Sequence, residues 1–465
     1  MGALHVKALC EYIDASPSAF HAVDAAVAAL SAAGATRLDE RDRWILEPGK
    51  AYYIVRDSAA LVSFRIGKKK PVDSGFAIMG AHTDAPGLRA RLEKSVEARG
   101  AGRVPVEAYG GPIHSTWMDR PLSAAGRVVV RTPSGAESRL FNFARPMAVI
   151  PNLAIHFNRE MNKGVEYSLG ATLLPLVAAR GSGGSQTDGP GTEQDSVPAT
   201  DAVASPGSTA AGHAVRSWLQ RAIAAELHIA PDDILAADTG FVDATPSLVF
   251  GDDDEILSAP RIDNLEGCHA ILTAFCAVPG GDHTQVVALF DNEEIGSMTP
   301  RGADSSLLRD VLSRIVAVTC GSDPEAIHRA LARSFSVSVD GAQGWHPSYA
   351  DKFDEAYAPV LNGGPAVKSS ANVRYATDPT GEVAFMRCCE SAGVPCQRFR
   401  MKPDIAPGTT IGPISSALLG VRTVDVGVPM LAMHSARETA GAYDHDYMIA
   451  ALRAFMQLGP AVADW

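Results

Sequence analysis

The chain has 465 residues, 46% of them hydrophobic, and a formal net charge of −12. That length provides ample core for one large or two ordinary domains. The acidic balance excludes nucleic acid and anionic membrane as electrostatic partners, because both are bound through Lys and Arg surfaces.

Seven cysteines without CxxC spacing give neither a disulfide framework nor a zinc knuckle and fit a reducing compartment. No apolar run approaches the roughly 20 residues of a membrane span. The start Met-Gly-Ala-Leu-His-Val has no signal-peptide core and no Ser or Thr at the position of Val6 for myristoylation, so a cytoplasmic protein is expected.

In chain order, residues 5–34 read as an amphipathic helix pair: Leu9, Tyr12 and Ile13, then a Ser16-Pro17-Ser18 cap ahead of an Ala-rich helix that stops at Gly34. Residues 52–56 and 61–66 read as strands, and Lys68-Lys69-Lys70, closed by Pro71, as a surface turn. Residues 75–80 form a buried strand leading into Ala81-His82-Thr83-Asp84. From about 92 to 156 the texture changes to short alternating strands with Gly-Gly and Pro turns, such as 126–131, which predicts a separate β-rich unit. The segment 181–212 is almost all small or polar residues and cannot bury enough apolar surface to order itself, so a flexible insertion is predicted. Helical periodicity returns at 215–227. Beyond Ala259, strands at 284–290, 334–340 and 421–428 alternate with helices at 265–277, 305–317 and 382–393. That alternation predicts an α/β domain with a mostly parallel central sheet and flanking helices, interrupted by the β-rich unit.

Chemistry concentrates at the ends of these strands. The run Leu289-Phe-Asp-Asn-Glu-Glu-Ile-Gly-Ser297 places adjacent acids behind an apolar strand. Neighbouring carboxylates raise each other's pKa, and a cation or a proton-transfer task is what retains them; a solvated acidic turn is the competing explanation. His82, Asp263, Glu294, Asp340 and His434 all fall at strand ends or a helix start, the edge where an open α/β sheet forms its ligand crevice. Two His and three carboxylates suit two zinc-like ions roughly 3.5–4 Å apart that share one carboxylate and an activated water. Asp263 is the candidate bridge, with His82 and Asp340 on one ion and His434 and Glu294 on the other. Glu293 is left as general base and acid. Asp84, two residues past His82, is placed to accept the second imidazole N–H, or serves as a turn-stabilising Asp before Pro86-Gly87.

The chain resembles the aspartyl aminopeptidases, cytosolic dinuclear zinc exopeptidases that remove N-terminal Asp or Glu. The resemblance runs over most of the chain and rests on Gly80-Ala-His-Thr-Asp-Ala-Pro-Gly-Leu-Arg89, Tyr109-Gly-Gly-Pro112 with Trp117-Met-Asp-Arg120, Ile150-Pro-Asn-Leu-Ala-Ile-His156, Arg261-Ile-Asp-Asn-Leu265, Phe290-Asp-Asn-Glu-Glu-Ile-Gly-Ser297, Gly408-Thr-Thr-Ile-Gly-Pro413 and Leu431-Ala-Met-His-Ser435. It implies the same five ligands and the same base. Two zinc ions per subunit are implied, with manganese or cobalt admissible in one position. It also implies a catalytic domain in two parts, 1–91 and 251–465, around a dimerisation domain at 92–250, and a tetrahedral dodecamer built from dimers that admits peptides with acidic N-termini. His156 matches a histidine offered to the neighbouring subunit's active site as an oxyanion donor, and Lys368 matches the cation that selects an acidic side chain.

Departures fall on the substrate side. Gln343 stands where the family usually has His, Asn152 where it often has His, and Ala406-Pro407-Gly408 replaces a Cys-Gly, while His346-Pro347 is retained beside Gln343. Gln343 donates a hydrogen bond but carries no charge. Two alternatives follow: an aminopeptidase of the same dinuclear type with neutral preference, and a catalytically weak shell-forming protein that binds peptide or metal.

Overall fold

The computed structural model describes residues 4–179 and 217–464. The predicted insertion 181–212 lies outside the described residues. A nine-stranded sheet forms the centre, in the order Thr36–Arg37, Ala51–Arg56, Ala60–Arg65, Thr284–Phe290, Phe76–His82, Phe335–Val339, Arg422–Gly427, Ala366–Lys368 and Gln397–Phe399. The four strands from Thr284–Phe290 to Arg422–Gly427 run mutually parallel. On either side Ala60–Arg65 and Ala366–Lys368 pair antiparallel with them. The expected sheet is therefore present with a parallel heart and antiparallel flanks.

Parallel strands need apolar cover on both faces, which is why these segments read as near-continuous apolar runs. Successive side chains of Thr284–Phe290 serve opposite faces. Val287 and Leu289 join the core under the helices Ile262–Ala277, Pro379–Ala392 and Ala442–Leu458, together with the N-terminal pair Val6–Ala15 and Ala19–Ala32. Val286, Ala288 and Phe290 join the core under Leu307–Cys320, Ala326–Ala332 and Ile411–Leu419.

The β-rich unit has its own core. Its five-stranded sheet has the order Gly135–Asn142, Leu122–Thr132, Ile234–Asp243, Gly87–Ala90 and Val106–Tyr109, with a smaller sheet of Leu176–Ala179, Ala101–Arg103 and Val96–Ala98 beside it. The helix Trp218–Glu226, capped by the Ser217 hydroxyl accepting from Gln220 N at 3.1 Å, packs into the same core. By strand pairing this unit begins at Gly87 and ends at Asp243, because Leu248–Phe250 pairs with Ile256–Ala259 on the other side. Among the described residues no helix is long and apolar enough to cross a membrane.

The C-terminal helix Ala442–Leu458 packs on both Pro379–Ala392 and Ile262–Ala277. Its Phe455 is fully buried, with its ring edge-on to Phe335 at 5.9 Å. Phe455→Ala opens a cavity between helix and sheet and should cost about 3–5 kcal/mol. Equilibrium urea unfolding checks this: the midpoint should fall clearly, and an unchanged midpoint would place Phe455 outside the cooperative core.

Candidate metal centre

Because the four central strands share one direction, their C-terminal ends meet along one edge. His82 is the last residue of its strand, one position earlier than a residue following the strand would be. Glu293 and Glu294 sit in the single turn Glu293–Ile295 beyond Phe290, and Asp340 follows Phe335–Val339, with its N–H held by Val426 O at 2.9 Å. Asp263 lies in the first turn of Ile262–Ala277, and His434 follows the short strand Pro429–Leu431. Segments distant in sequence thus deliver all five predicted ligands to one place.

They divide into two sets around Asp263. His82 Nε2 is 3.4 Å from Asp263 Oδ1 and 3.4 Å from Asp340 Oδ1. His434 Nε2 is 3.7 Å from Asp263 Oδ2 and 3.4 Å from Glu294 Oε2. Each Asp263 oxygen therefore faces a different imidazole. Glu293 Oε2 lies 4.0 Å from His82 Nε2.

The far side of each ring is anchored. His82 Nδ1 contacts the Asp84 carbonyl at 3.1 Å, and His434 Nδ1 contacts the Gly111 carbonyl at 3.2 Å. A carbonyl only accepts, so Nδ1 carries a proton in each ring, and Nε2 is the ring atom turned toward the carboxylate oxygens, where it can ligate a metal. Several carboxylates gathered with these nitrogens need positive charge among them, and a metal cation supplies it. Asp263 Oδ1 is buried without a hydrogen-bond partner among the described residues, which points the same way. Nitrogen and carboxylate donors of this kind suit zinc, and the described residues include a cluster of His82, Asp263 and Glu294 with ligand atoms within 4.8 Å of one another.

Burial drives the electrostatics. It pushes Glu293 up to about 8, with His82 opposing and Asp340 and Asp263 adding to the rise. Burial and then Asp263 hold Glu294 well above the usual carboxylate range. Asp340 is buried too, yet Lys368 and then His82 keep it below that range. Lys368 is itself buried, and its Nζ meets Asp340 Oδ2 at 3.3 Å and Gly341 O at 3.0 Å.

Three supporting residues, Tyr109, Gly111 and Glu438, escaped the sequence reading, which had found Asp84. The carboxylate of Asp84 accepts the N–H groups of Glu293 (3.1 Å) and Glu294 (3.2 Å) and the hydroxyl of Tyr109 (2.8 Å), so it fixes the acidic pair while its backbone oxygen, not its carboxylate, makes the shorter contact to His82. Tyr109 also accepts from Asn292 Nδ2 at 2.9 Å. Tyr109 and Gly111 come from the β-rich unit, and no local pattern announces a contact across two units, although the Tyr109–Pro112 motif held both. The third is Glu438, whose carboxylate accepts Asp263 N at 2.9 Å and His434 N at 2.7 Å.

The remaining predicted residues stand apart. His156 is exposed, beside exposed Leu153, Ile155 and Phe157, and among the described residues no hydrogen bond or ion pair joins it to the cluster. The His346 ring accepts from Ser348 N at 3.2 Å and meets Tyr349 edge-on. Gln343 Nε2 lies 3.6 Å from the sulfur of Met433, the neighbour of His434, and its Oε1 is buried without a partner among the described residues. Asn152 is tied to Asp119 through its own N–H (2.8 Å) and its amide (2.7 Å).

The model of the aminopeptidase I zinc metalloprotease (M18) family matches residues 12–456. A probable M18 family aminopeptidase 2 of Pseudomonas aeruginosa is 39% identical over 449 residues, 97% of each chain. Among solved structures, a chain of the cryo-EM structure of the Ape4 and Nbr1 complex superposes with a TM-score of 0.89 at 31% identity, covering 97% of this chain and 85% of that one. The Chaetomium thermophilum mApe1 gives 0.84 at 30% identity over 100% and 99%. The S. cerevisiae mApe1 dodecamer, at 24% identity, 0.82 and coverage of 99% and 98%, shares the fold. The chain belongs to the M18 family of zinc metalloproteases and is a metallo-aminopeptidase.

Proposed function

We propose that this aminopeptidase removes N-terminal Asp and Glu from peptides at a centre of two zinc ions per subunit, with manganese or cobalt admissible in one position. The observation that carries the two-ion reading is Asp263, whose two oxygens each face a different imidazole. Bound there, the ions supply Lewis acidity and lower the pKa of water toward neutrality. His82 and Asp340 would hold one, His434 and Glu294 the other, with Asp263 shared.

The chain's own groups then divide the remaining work. Glu293, buried beside the cluster with a raised proton affinity, takes a proton from the attacking water and delivers it to the leaving amine. Asp84 keeps Glu293 and Glu294 in place through their backbone N–H groups. Lys368 keeps one N–H beyond its bonds to Asp340 and Gly341 for a substrate carboxylate. His156 sits on an exposed segment of the β-rich unit, which suits delivery to a neighbouring subunit as an oxyanion donor. Gln343 and His346 complete the substrate side. The β-rich unit, 92–250 by sequence texture and 87–243 by strand pairing, serves as the dimerisation domain of a cytoplasmic homododecamer. The dodecameric S. cerevisiae relative of the same fold supports that assembly.

The engagement of Lys368 with Asp340 supports one competing reading, the same centre with a preference for neutral N-termini. Hydrolysis of Asp-, Glu-, Leu- and Lys-headed substrates, with chelator and then with zinc, manganese or cobalt restored, separates the two. Acidic substrates should be cleaved fastest, lost to chelator and regained with metal.

Two substitutions sharpen the test. Glu293→Gln should retain two ions per chain and lose roughly 10²–10⁴ in kcat, the usual contribution of a positioned acid–base group; wild-type turnover would remove Glu293 from the mechanism. Lys368→Met should reduce kcat/KM for Asp- and Glu-headed substrates at least tenfold more than for Leu-headed ones. Equal losses on both would assign Lys368 to holding Asp340 rather than to selectivity.

A further inference from the structure

We propose that Glu438 is a positioning residue of the metal centre, clasping the backbones of Asp263 and His434 so that the shared carboxylate and the second imidazole keep their spacing. The inference rests on the two-ion centre proposed above.

Glu438 opens the strand Glu438–Gly441 and pairs with Ala259, two residues before Arg261, so the end of one strand lies against the entry to the helix that carries Asp263. Its side chain is almost fully buried. Oε2 accepts from Asp263 N at 2.9 Å, and Oε1 accepts from His434 N at 2.7 Å. With both oxygens on main-chain donors, it links the two ligands without being one.

The backbone it holds does not favour that shape unaided. Arg261 has φ 57° and His434 φ 70°, and Ala432, before His434, has φ 57°. Side chains other than glycine disfavour this left-handed region, and such residues persist where the surroundings over-determine them. Here one buried side chain supplies the restraint, because its two oxygens take one main-chain N–H from each segment. No other single residue bonds the backbone N–H of both ligands among the described residues. Two acceptor oxygens are required: an amide has one, and its NH₂ would face a second N–H donor.

The test is zinc binding by metal-stripped protein, titrated in competition with a chromophoric chelator, a readout independent of turnover. The wild-type chain should take up two zinc ions. Glu438→Gln should weaken both ions, because Asp263 serves both, and weaken one of them the more, by roughly 10–100-fold, the effect expected of lost support behind a metal ligand. Cobalt spectra should locate the more weakened position at His434, as the same position that is lost in His434→Ala. Glu438→Asp keeps both acceptors with a shorter reach and should recover part of the affinity; it also carries the test should the Gln variant not fold.

Wild-type affinity at both positions in the Gln variant, or equal weakening at both, would overturn the clasp while leaving the centre intact. A wild-type chain that takes up fewer than two ions would instead overturn the two-ion centre itself.

Discussion

Asp263 is where the molecule's main constraint is concentrated. It stands between two imidazoles, with Glu294 and Asp340 close by and Glu293 facing His82. Like charges at this range repel and, once buried, resist ionisation. The arrangement is stable as a charged set only with cations inside it, so much of the surrounding structure serves to hold anions where they would otherwise separate. The parallel strands bring the groups to one edge. Asp84 and Glu438 then fix them through backbone N–H groups, which hold position without occupying the ligand atoms.

Lys368 belongs to the same balance. It reaches Asp340 from the short strand Ala366–Lys368, which pairs antiparallel with Arg422–Gly427. A buried ammonium beside a buried carboxylate satisfies both, and the removal of either leaves the other uncompensated. The residue that the family resemblance assigns to selectivity is therefore also part of the electrostatic support of the centre, and acidic-substrate recognition would be built onto a structural ion pair.

The β-rich unit takes part in the site as well as in any assembly. Tyr109 bonds Asp84, Gly111 accepts from His434, and Ile113 N bonds His434 O at 3.0 Å. One segment thus braces both the acidic pair and the second imidazole. Further along, Asp119 fastens Asn152 on the exposed segment that carries His156. Asn152, a departure from the family pattern, has a local task in that bond.

The sequence by itself determined the α/β class, the strands that form the parallel heart and the residues that converge on their ends, because apolar runs of strand length and acids or histidines at their termini are local features of the chain. Three-residue strands such as Ala366–Lys368 and the helix Ala442–Leu458 were not legible. The former is too short to show a period, and the latter is buried against two helices, so its apolar residues spread around it instead of forming one stripe. Within the site, the convergence of Glu293, Asp84 and the five candidate ligands was legible from residue type and position, whereas Glu438, the engagement of Lys368 with Asp340 and the bracing by Tyr109 and Gly111 were not. Those depend on which backbone N–H or carbonyl lies opposite a side chain once units distant in sequence have packed. Only the tertiary structure decided that, because a hydrogen bond between segments is set by their relative placement and leaves no periodic trace in either segment.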